Sequence, residues 1–170
     1  MIRQDILENP VESIYLGIGS NLGNRKEYIE KAKFELEKKK IKILKSSSFY
    51  ESFSWPDSKN PKFMNIIIEI KTDYTATKLL KNCKEIEKKL GRKKSPKNSP
   101  RVCDIDIIDY NKKVMNGSII LPHPRMHSRN FVLLPLFEIN KHWFHPISKF
   151  HIKNLILSLP NRDITSIKQI

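Results

Sequence analysis

The chain has 170 residues, a formal net charge of +14, two cysteines and a hydrophobic content of 39%. A chain of that length can bury roughly 70% of the surface its unfolded form exposes, so it needs neither disulfide staples nor a structural metal to fold. Cys83 and Cys103 sit in apolar patterns without metal-ligand spacing and read as reduced core residues of a cytoplasmic protein; Met1 to Pro10 lacks the regions of a signal peptide, and no apolar run is long enough to span a membrane.

Ser13 to Ile18 reads as a short apolar strand ended by Gly19, Ser20 and Asn21. A helix is predicted from Asn24 to Lys40, with Ile29, Ala32 and Leu36 on one stripe, followed by a strand from Ile41 to Tyr50. Glu51 to Lys62, with Pro56 and Pro61, is a loop, and Phe63 to Thr72 is a third strand. From Thr75 to Leu90 the residues Leu79, Cys83, Ile86 and Leu90 recur at helical spacing, and Gly91 supplies the stop. Val102 to Ile108 alternates as a half-buried strand. The order β-α-β-β-α-β implies an α+β fold of the ferredoxin-like plan with an antiparallel sheet.

A C-terminal helical extension follows: a short strand from Ile119 to Leu121, a helix from Arg129 to Ile139 that Pro135 should bend, and a last helix from Ile152 to Leu159. Residues 1–12 are expected to form an N-terminal extension and residues 13–170 one domain, with the C-terminal part packed on the same core.

In the strand after Val102, residues at i and i+2 point the same way, so Cys103, Ile105 and Ile107 face a core while Asp104 and Asp106 project together on the other side. Parallel carboxylates repel unless a proton or a cation lies between them. Magnesium takes only one or two protein carboxylates and fills its shell with water and phosphate oxygens, so a strand-borne Asp-x-Asp suits it. Arg92, Lys93, Lys94, Lys97 and Arg101 crowd the preceding stretch, as a site for metal and phosphate requires. A solvent-facing edge whose acids balance nearby lysines gives the same pattern.

High positive charge makes nucleic acid the first suspect among partners. Much of it is spread along helix faces, however, with Lys31, Lys33, Lys38, Lys39 and Lys40 on one and Lys78, Lys81, Lys84, Lys88 and Lys89 on the other, which favours solvated surfaces. Gly17, Gly19 and Gly23 invite a phosphate-loop reading, but neither G-x-G-x-x-G nor the P-loop pattern is met. A tight turn is the expectation for these glycines, with an adjacent pocket as the secondary reading. The five histidines form no zinc motif.

Several segments, in order, resemble the 6-hydroxymethyl-7,8-dihydropterin pyrophosphokinase family: Gly17-Ile-Gly-Ser-Asn-Leu-Gly23, Ser48-Phe-Tyr50, Phe63-Met-Asn65, Ile86-Glu87 with Gly91-Arg92, Pro100-Arg-Val-Cys-Asp-Ile-Asp-Ile107, and Leu121-Pro-His-Pro-Arg-Met126 followed by Arg129-Asn-Phe-Val-Leu133. The Pro-Arg-x-x-Asp-x-Asp block followed by Pro-His-Pro-Arg-x-x-x-Arg-x-Phe is the specific part. The resemblance implies a ferredoxin-like enzyme of folate biosynthesis that moves the terminal diphosphate of ATP onto the hydroxymethyl group of a reduced pterin and releases AMP.

By matching position, Asp104 and Asp106 resemble ligands of two magnesium ions, and Arg92 and Arg101 resemble arginines near the phosphates. His123 and Arg129 resemble nucleotide contacts, with Leu80, Glu87 and Ile107 in the adenosine and metal surroundings. Asn65 resembles the amide that reads the pterin edge, Phe63 and Phe131 the rings that sandwich it, and Ser52, Phe53 and Trp55 the loop laid along the same ring. Without the resemblance, Phe63 and Phe131 read as core, Arg129 as a surface cation and Glu87 as a salt-bridge partner on its helix. The loop before Arg101 departs from the family: Asn98 and Ser99 stand where an aromatic-glycine pair is usual, and Lys94 and Lys97 supply charge without the planar fork of arginine.

The implied partners are ATP and the pterin, with no membrane, no nucleic acid and a monomeric state. An RNA-recognition domain shares the element order, but the third strand, Ile66 to Ile70, offers no aromatic on an open face beyond Phe63. An inactive relative that binds ATP or pterin without turnover is the other alternative.

Overall fold

The computed structural model describes residues 13–54, 58–96 and 98–170. The expected N-terminal extension, Trp55 and Lys97 lie outside them. Among the described residues eight strands and five α-helices follow in the order β1 (Ile14–Ser20), α1 (Arg25–Lys38), β2 (Lys42–Ser46), β3 (Tyr50–Ser52), β4 (Phe63–Lys71), α2 (Ala76–Lys89), β5 (Asp104–Tyr110), β6 (Met115–Asn116), β7 (Ile120–Leu121), α3 (Asn130–Ile139), α4 (Ile152–Leu157), α5 (Asn161–Ser166) and β8 (Lys168–Gln169). A 3₁₀ turn, Met126–Ser128, precedes α3.

The main sheet is antiparallel with strand order β5-β1-β4-β3-β8, and β2 pairs with β4 beside β3. With α1 and α2 on one face this is the ferredoxin-like plan that the element order implies. Both helices are capped by the side chain expected to start them: Asn24 accepts the Glu27 N–H and Thr75 accepts the Lys78 N–H. Gly91, at φ +100°, turns the chain out of α2.

Strand alternation sorts the side chains into two cores. Ile14, Leu16 and Ile18 of β1, Ile66, Ile68 and Ile70 of β4, and Ile105 and Ile107 of β5 pack with Ile29, Leu36, Leu79, Cys83 and Ile86 of the two long helices. On the opposite face, Tyr15, Ile67 and Ile108 meet Val132, Leu133, Leu136, Trp143 and Leu155 of the C-terminal extension. A register shift in the β1–β5 ladder lets Ile108 and Asp109 both turn toward that second core, where Asp109 accepts the Trp143 indole N–H at 2.8 Å. The face that an RNA-recognition domain would leave open is therefore partly covered by α3 and α4.

Several expectations are corrected. Gly17 and Gly19 are interior residues of β1, with partners on both flanking strands, rather than a turn. The strand expected from Ile41 to Tyr50 is two, β2 and β3. The chain between them is drawn off the ladder because Glu138, on α3, accepts the Ser48 N–H, the Ser48 hydroxyl and the Tyr50 hydroxyl. Strand β5 begins at Asp104 rather than Val102. Helix α3 runs through Pro135 without a break, and β6, α5 and β8 add short elements the periodicity does not reveal. The lysine-rich faces are solvated and paired: Lys31 with Glu27 and Lys33 with Glu30 within α1, Lys39 with Glu85 and Lys89 with Glu35 between the helices.

Candidate active site

The sheet face opposite α1 and α2 carries a cavity of about 440 Å³ between β1, β3, β4 and β5, the chain before Arg101 and the start of α3. Asp104, Asp106, Arg92, Arg101, Lys94, His123 and Arg129 line it, and so do Ser52, Phe53, Phe63, Asn65 and Phe131. These are the residues read from sequence as phosphate, nucleotide, metal and pterin contacts, gathered from six separate parts of the chain.

Asp104 and Asp106 point into this cavity together, as their spacing on a strand requires. Asp104 is pinned by two guanidinium groups: Arg92 Nη1 lies 2.5 Å from one carboxylate oxygen and Arg101 Nη2 lies 2.9 Å from the other. Burial alone would push the Asp104 carboxyl up; the charges of Arg101 and Arg92 outweigh it and hold the carboxyl below the usual carboxylate range. Asp106 is more open and faces His123 Nε2 at 3.9 Å and Arg129 Nη1 at 4.0 Å.

His123 is fixed by its own loop. Its N–H donates to the Ile108 carbonyl at 2.9 Å, and its Nδ1 accepts the Arg125 N–H at 3.1 Å. With Nδ1 acting as acceptor, Nε2 carries the ring proton and presents it to the cavity. Burial pushes the imidazole pKa below its ordinary value, against the pull of Asp106, so the ring is a neutral donor near pH 7.

Glu87, Leu80 and Ile107 are not on the cavity wall. Ile107 is buried in the core between the sheet and the helices, and Leu80 packs against that core. Glu87 is buried behind β5, where it accepts the Ile105 N–H at 2.7 Å and pairs with Lys84 at 2.8 Å and with Arg92. Burial raises its pKa, against the lowering effect of Lys84. Its contacts make it a support for the aspartate-bearing strand and for Arg92. Leu80 and Ile107 belong to the fold on which the site stands.

On the other half of the cavity, Asn65 Nδ2 donates to Ser52 Oγ at 3.0 Å, and both residues are buried. That bond fixes which end of the amide faces which way. Phe63 carries the Arg101 guanidinium 5.5 Å from its ring centre, and Phe131 carries that of Arg129 at 5.4 Å. Each ring therefore touches an arginine of the charged half, so the two halves are one continuous site.

Some members were not singled out from sequence. Asn21, buried at the end of β1, accepts the Arg101 N–H at 2.7 Å and donates to the Pro61 carbonyl and to Ser54, tying both flanking loops to the sheet. Lys84 and Arg125 add charge, and the signals were present: Lys84 stands one helical turn before Glu87, and Arg125 closes the Pro-His-Pro-Arg block.

The wall carries seven Lys or Arg side chains against two carboxylates, which suits a polyanion. Arg101 Nε is buried without a hydrogen-bond partner among the described residues, a donor awaiting an acceptor. Among the described residues no three His, Cys, Asp or Glu side chains cluster as a metal-binding group, so the donors are two hard carboxylates and not a zinc-type set. Two carboxylates with open space beside them fit magnesium with its phosphate and water ligands. No helix of the described residues is long and apolar enough to cross a membrane.

Comparison with known proteins agrees with this geometry. The 7,8-dihydro-6-hydroxymethylpterin-pyrophosphokinase (HPPK) family model matches residues 15–141. A 2-amino-4-hydroxy-6-hydroxymethyldihydropteridine pyrophosphokinase of Aquifex aeolicus is 39% identical over 142 residues, covering 83% of this chain and 88% of the relative. The folic acid synthesis protein fol1 of Pneumocystis carinii is 38% identical over 154 residues, 90% of this chain, which spans only 21% of that longer protein. Among solved structures, Plasmodium falciparum HPPK-DHPS with pteroate superimposes with a TM-score of 0.76 over 94% of this chain and 46% of that one; at 15% identity this is a likeness of fold. The chain belongs to the 7,8-dihydro-6-hydroxymethylpterin-pyrophosphokinase family.

Proposed function

We propose that the protein transfers the terminal diphosphate of ATP to the hydroxymethyl group of 6-hydroxymethyl-7,8-dihydropterin, giving AMP and the pterin diphosphate. The observation that carries this reading is that one cavity joins a carboxylate pair and arginine cluster to a buried amide and two aromatic rings. Neither half alone would distinguish this transfer from simple nucleotide or pterin binding.

A triphosphate bears about four negative charges, which oppose attack by a neutral alcohol on its middle phosphorus. The new bond joins the hydroxymethyl oxygen to that phosphorus, the bond from it to the oxygen kept by AMP breaks, and the hydroxyl proton is released. Asp104 and Asp106 would hold magnesium, which when bound neutralises phosphate oxygens and aligns the attacking and leaving groups.

The chain's own side chains do the rest. Arg92 and Arg101 supply planar forks for phosphate oxygens in place of the Asp104 contacts they make here. Neutral His123 offers an N–H beside Asp106, and Arg129 adds charge. Phe63 and Phe131 hold a planar ring by stacking, and Asn65, with a donor and an acceptor, reads its edge. Lys93, Lys94 and Pro96 line the phosphate side of the cavity.

The test is product analysis with purified protein, magnesium, ATP and the reduced pterin. AMP and pterin diphosphate formed in equal amounts, and only when pterin is present, support the reading. ADP as the nucleotide product, or no pterin-dependent turnover, would refute it.

A further inference from the structure

Strand β1 runs down the middle of the site. Gly19 pairs with Asn65 on one side and with Asp104 on the other, and Gly17 pairs with Ile67 and Asp106. The cavity floor is thus a strip in which a bare glycine separates the pterin-side residues from the metal-side carboxylates. Neighbouring strands lie about 4.8 Å apart, so amide and carboxylate stand roughly 10 Å from each other across it.

We infer that Gly19 is a specificity-determining residue for the pterin, because its missing side chain is what lets Asn65 take its recognition position beside Phe63. This rests on the functional reading above. A Cβ at position 19 would lie 2.8 Å from Asn65 Oδ1 and 3.4 Å from Phe63 Cδ1. The first distance is shorter than such contacts allow, so the Asn65 amide must move. Its other end is held by Ser52 in a buried hydrogen bond, so movement costs that bond. One methyl group therefore displaces the edge-reading amide while packing against a stacking ring.

Gly17 is different. A Cβ there meets only the flexible ends of Ile108 and Ile67, at 3.2 and 3.4 Å, and touches no recognition group. Backbone strain explains neither position, since among the described glycines only Gly23 and Gly91 have positive φ. The demand at position 19 is for open space under the substrate and beside Asn65.

The experiment measures binding of 6-hydroxymethyl-7,8-dihydropterin, with a nonhydrolysable ATP analogue present, to wild type, Gly19→Ala, Asn65→Ala and the double variant. Gly19→Ala should weaken pterin binding at least tenfold while its affinity for the analogue alone changes less than about twofold. In the Asn65→Ala background the same methyl should add less than about threefold, because the group it displaces is gone. The double variant also removes the close contact, so the comparison survives if Gly19→Ala alone folds poorly. Pterin binding by Gly19→Ala equal to wild type, or a loss of the same size with and without Asn65, would overturn the inference. Wild-type protein that binds no pterin would overturn the functional reading beneath it, a result distinct from either.

Discussion

The Glu87 carboxylate accepts the N–H of Ile105, the residue between the two aspartates, at 2.7 Å. Strand β5 is an edge of the sheet, and this bond occupies a backbone donor there while the same carboxylate grips Arg92. Helix α2 thereby sets both the pitch of the Asp-x-Asp pair and the resting place of one phosphate-facing arginine.

Replacing Glu87 with Gln keeps an acceptor for Ile105 and removes the charge that faces Arg92 and Lys84. A loss of roughly 1–3 kcal/mol of stability is expected, read from urea unfolding, because Arg92 keeps Asp104 but loses the buried Glu87 carboxylate as its second counter-charge. Turnover should fall mainly in kcat, with pterin KM little changed. A variant as stable and active as wild type would remove Glu87 from its supporting role.

Asp104→Asn and Asp106→Asn should each lower turnover at least ~100-fold with the fold retained by circular dichroism. The amide keeps the shape and loses the charge that a divalent ion requires. Full activity in either variant would move the metal position elsewhere.

Phe63→Ala and Phe131→Ala remove the stacking faces. Each should weaken pterin binding about tenfold, from lost stacking of about 0.5–1.5 kcal/mol together with lost burial, and weaken nucleotide binding less. Calorimetric titration of each ligand checks the split; equal losses for both ligands would contradict the assignment of the rings to the pterin.

Asp109 gives a prediction about pH. Burial pushes its carboxyl above the ordinary 3.8, against the hydrogen bonds from Trp143 and the Lys112 N–H. The folded state then holds the proton more tightly than the unfolded state, so this group favours folding at low pH. Its contribution is lost as pH rises through the window from 3.8 to the raised value, and is constant above it. Asp109→Asn should be about 1–3 kcal/mol less stable at neutral pH, since the amide turns an N–H toward one of two donors. The gap to wild type should be wider at acidic pH than at neutral pH, as followed by denaturant midpoints. A gap that narrows on acidification would contradict the direction.

The core strands and both long helices were legible because their apolar residues recur at clean periods and their caps, Asn24, Thr75 and Gly91, stand at the ends. The division of β2 from β3 was not, because the groups that draw Ser48 and Tyr50 aside come from Glu138, distant in sequence. Two-residue strands such as β6 and β8 carry too few side chains to show a period. In the site, Asp104, Asp106, Arg92 and Arg101 were readable from spacing and charge, and Arg129 only from the resemblance. Leu80, Glu87 and Ile107, which the resemblance sets in the adenosine and metal surroundings, stand behind the cavity wall, because matching sequence position does not say which face of a strand or helix a side chain occupies. The glycines of β1 were misjudged as a turn for a related reason: a glycine made necessary by an approaching side chain looks, in one dimension, like a glycine made necessary by a bend.

The most direct measurement is electron paramagnetic resonance of manganese titrated into the protein with a nonhydrolysable ATP analogue. Wild type is expected to bind two ions per chain and to broaden their spectra, with both sites weakened by Asp104→Asn and by Asp106→Asn. Unchanged manganese binding in both variants would contradict the claim that this aspartate pair anchors the nucleotide's metal.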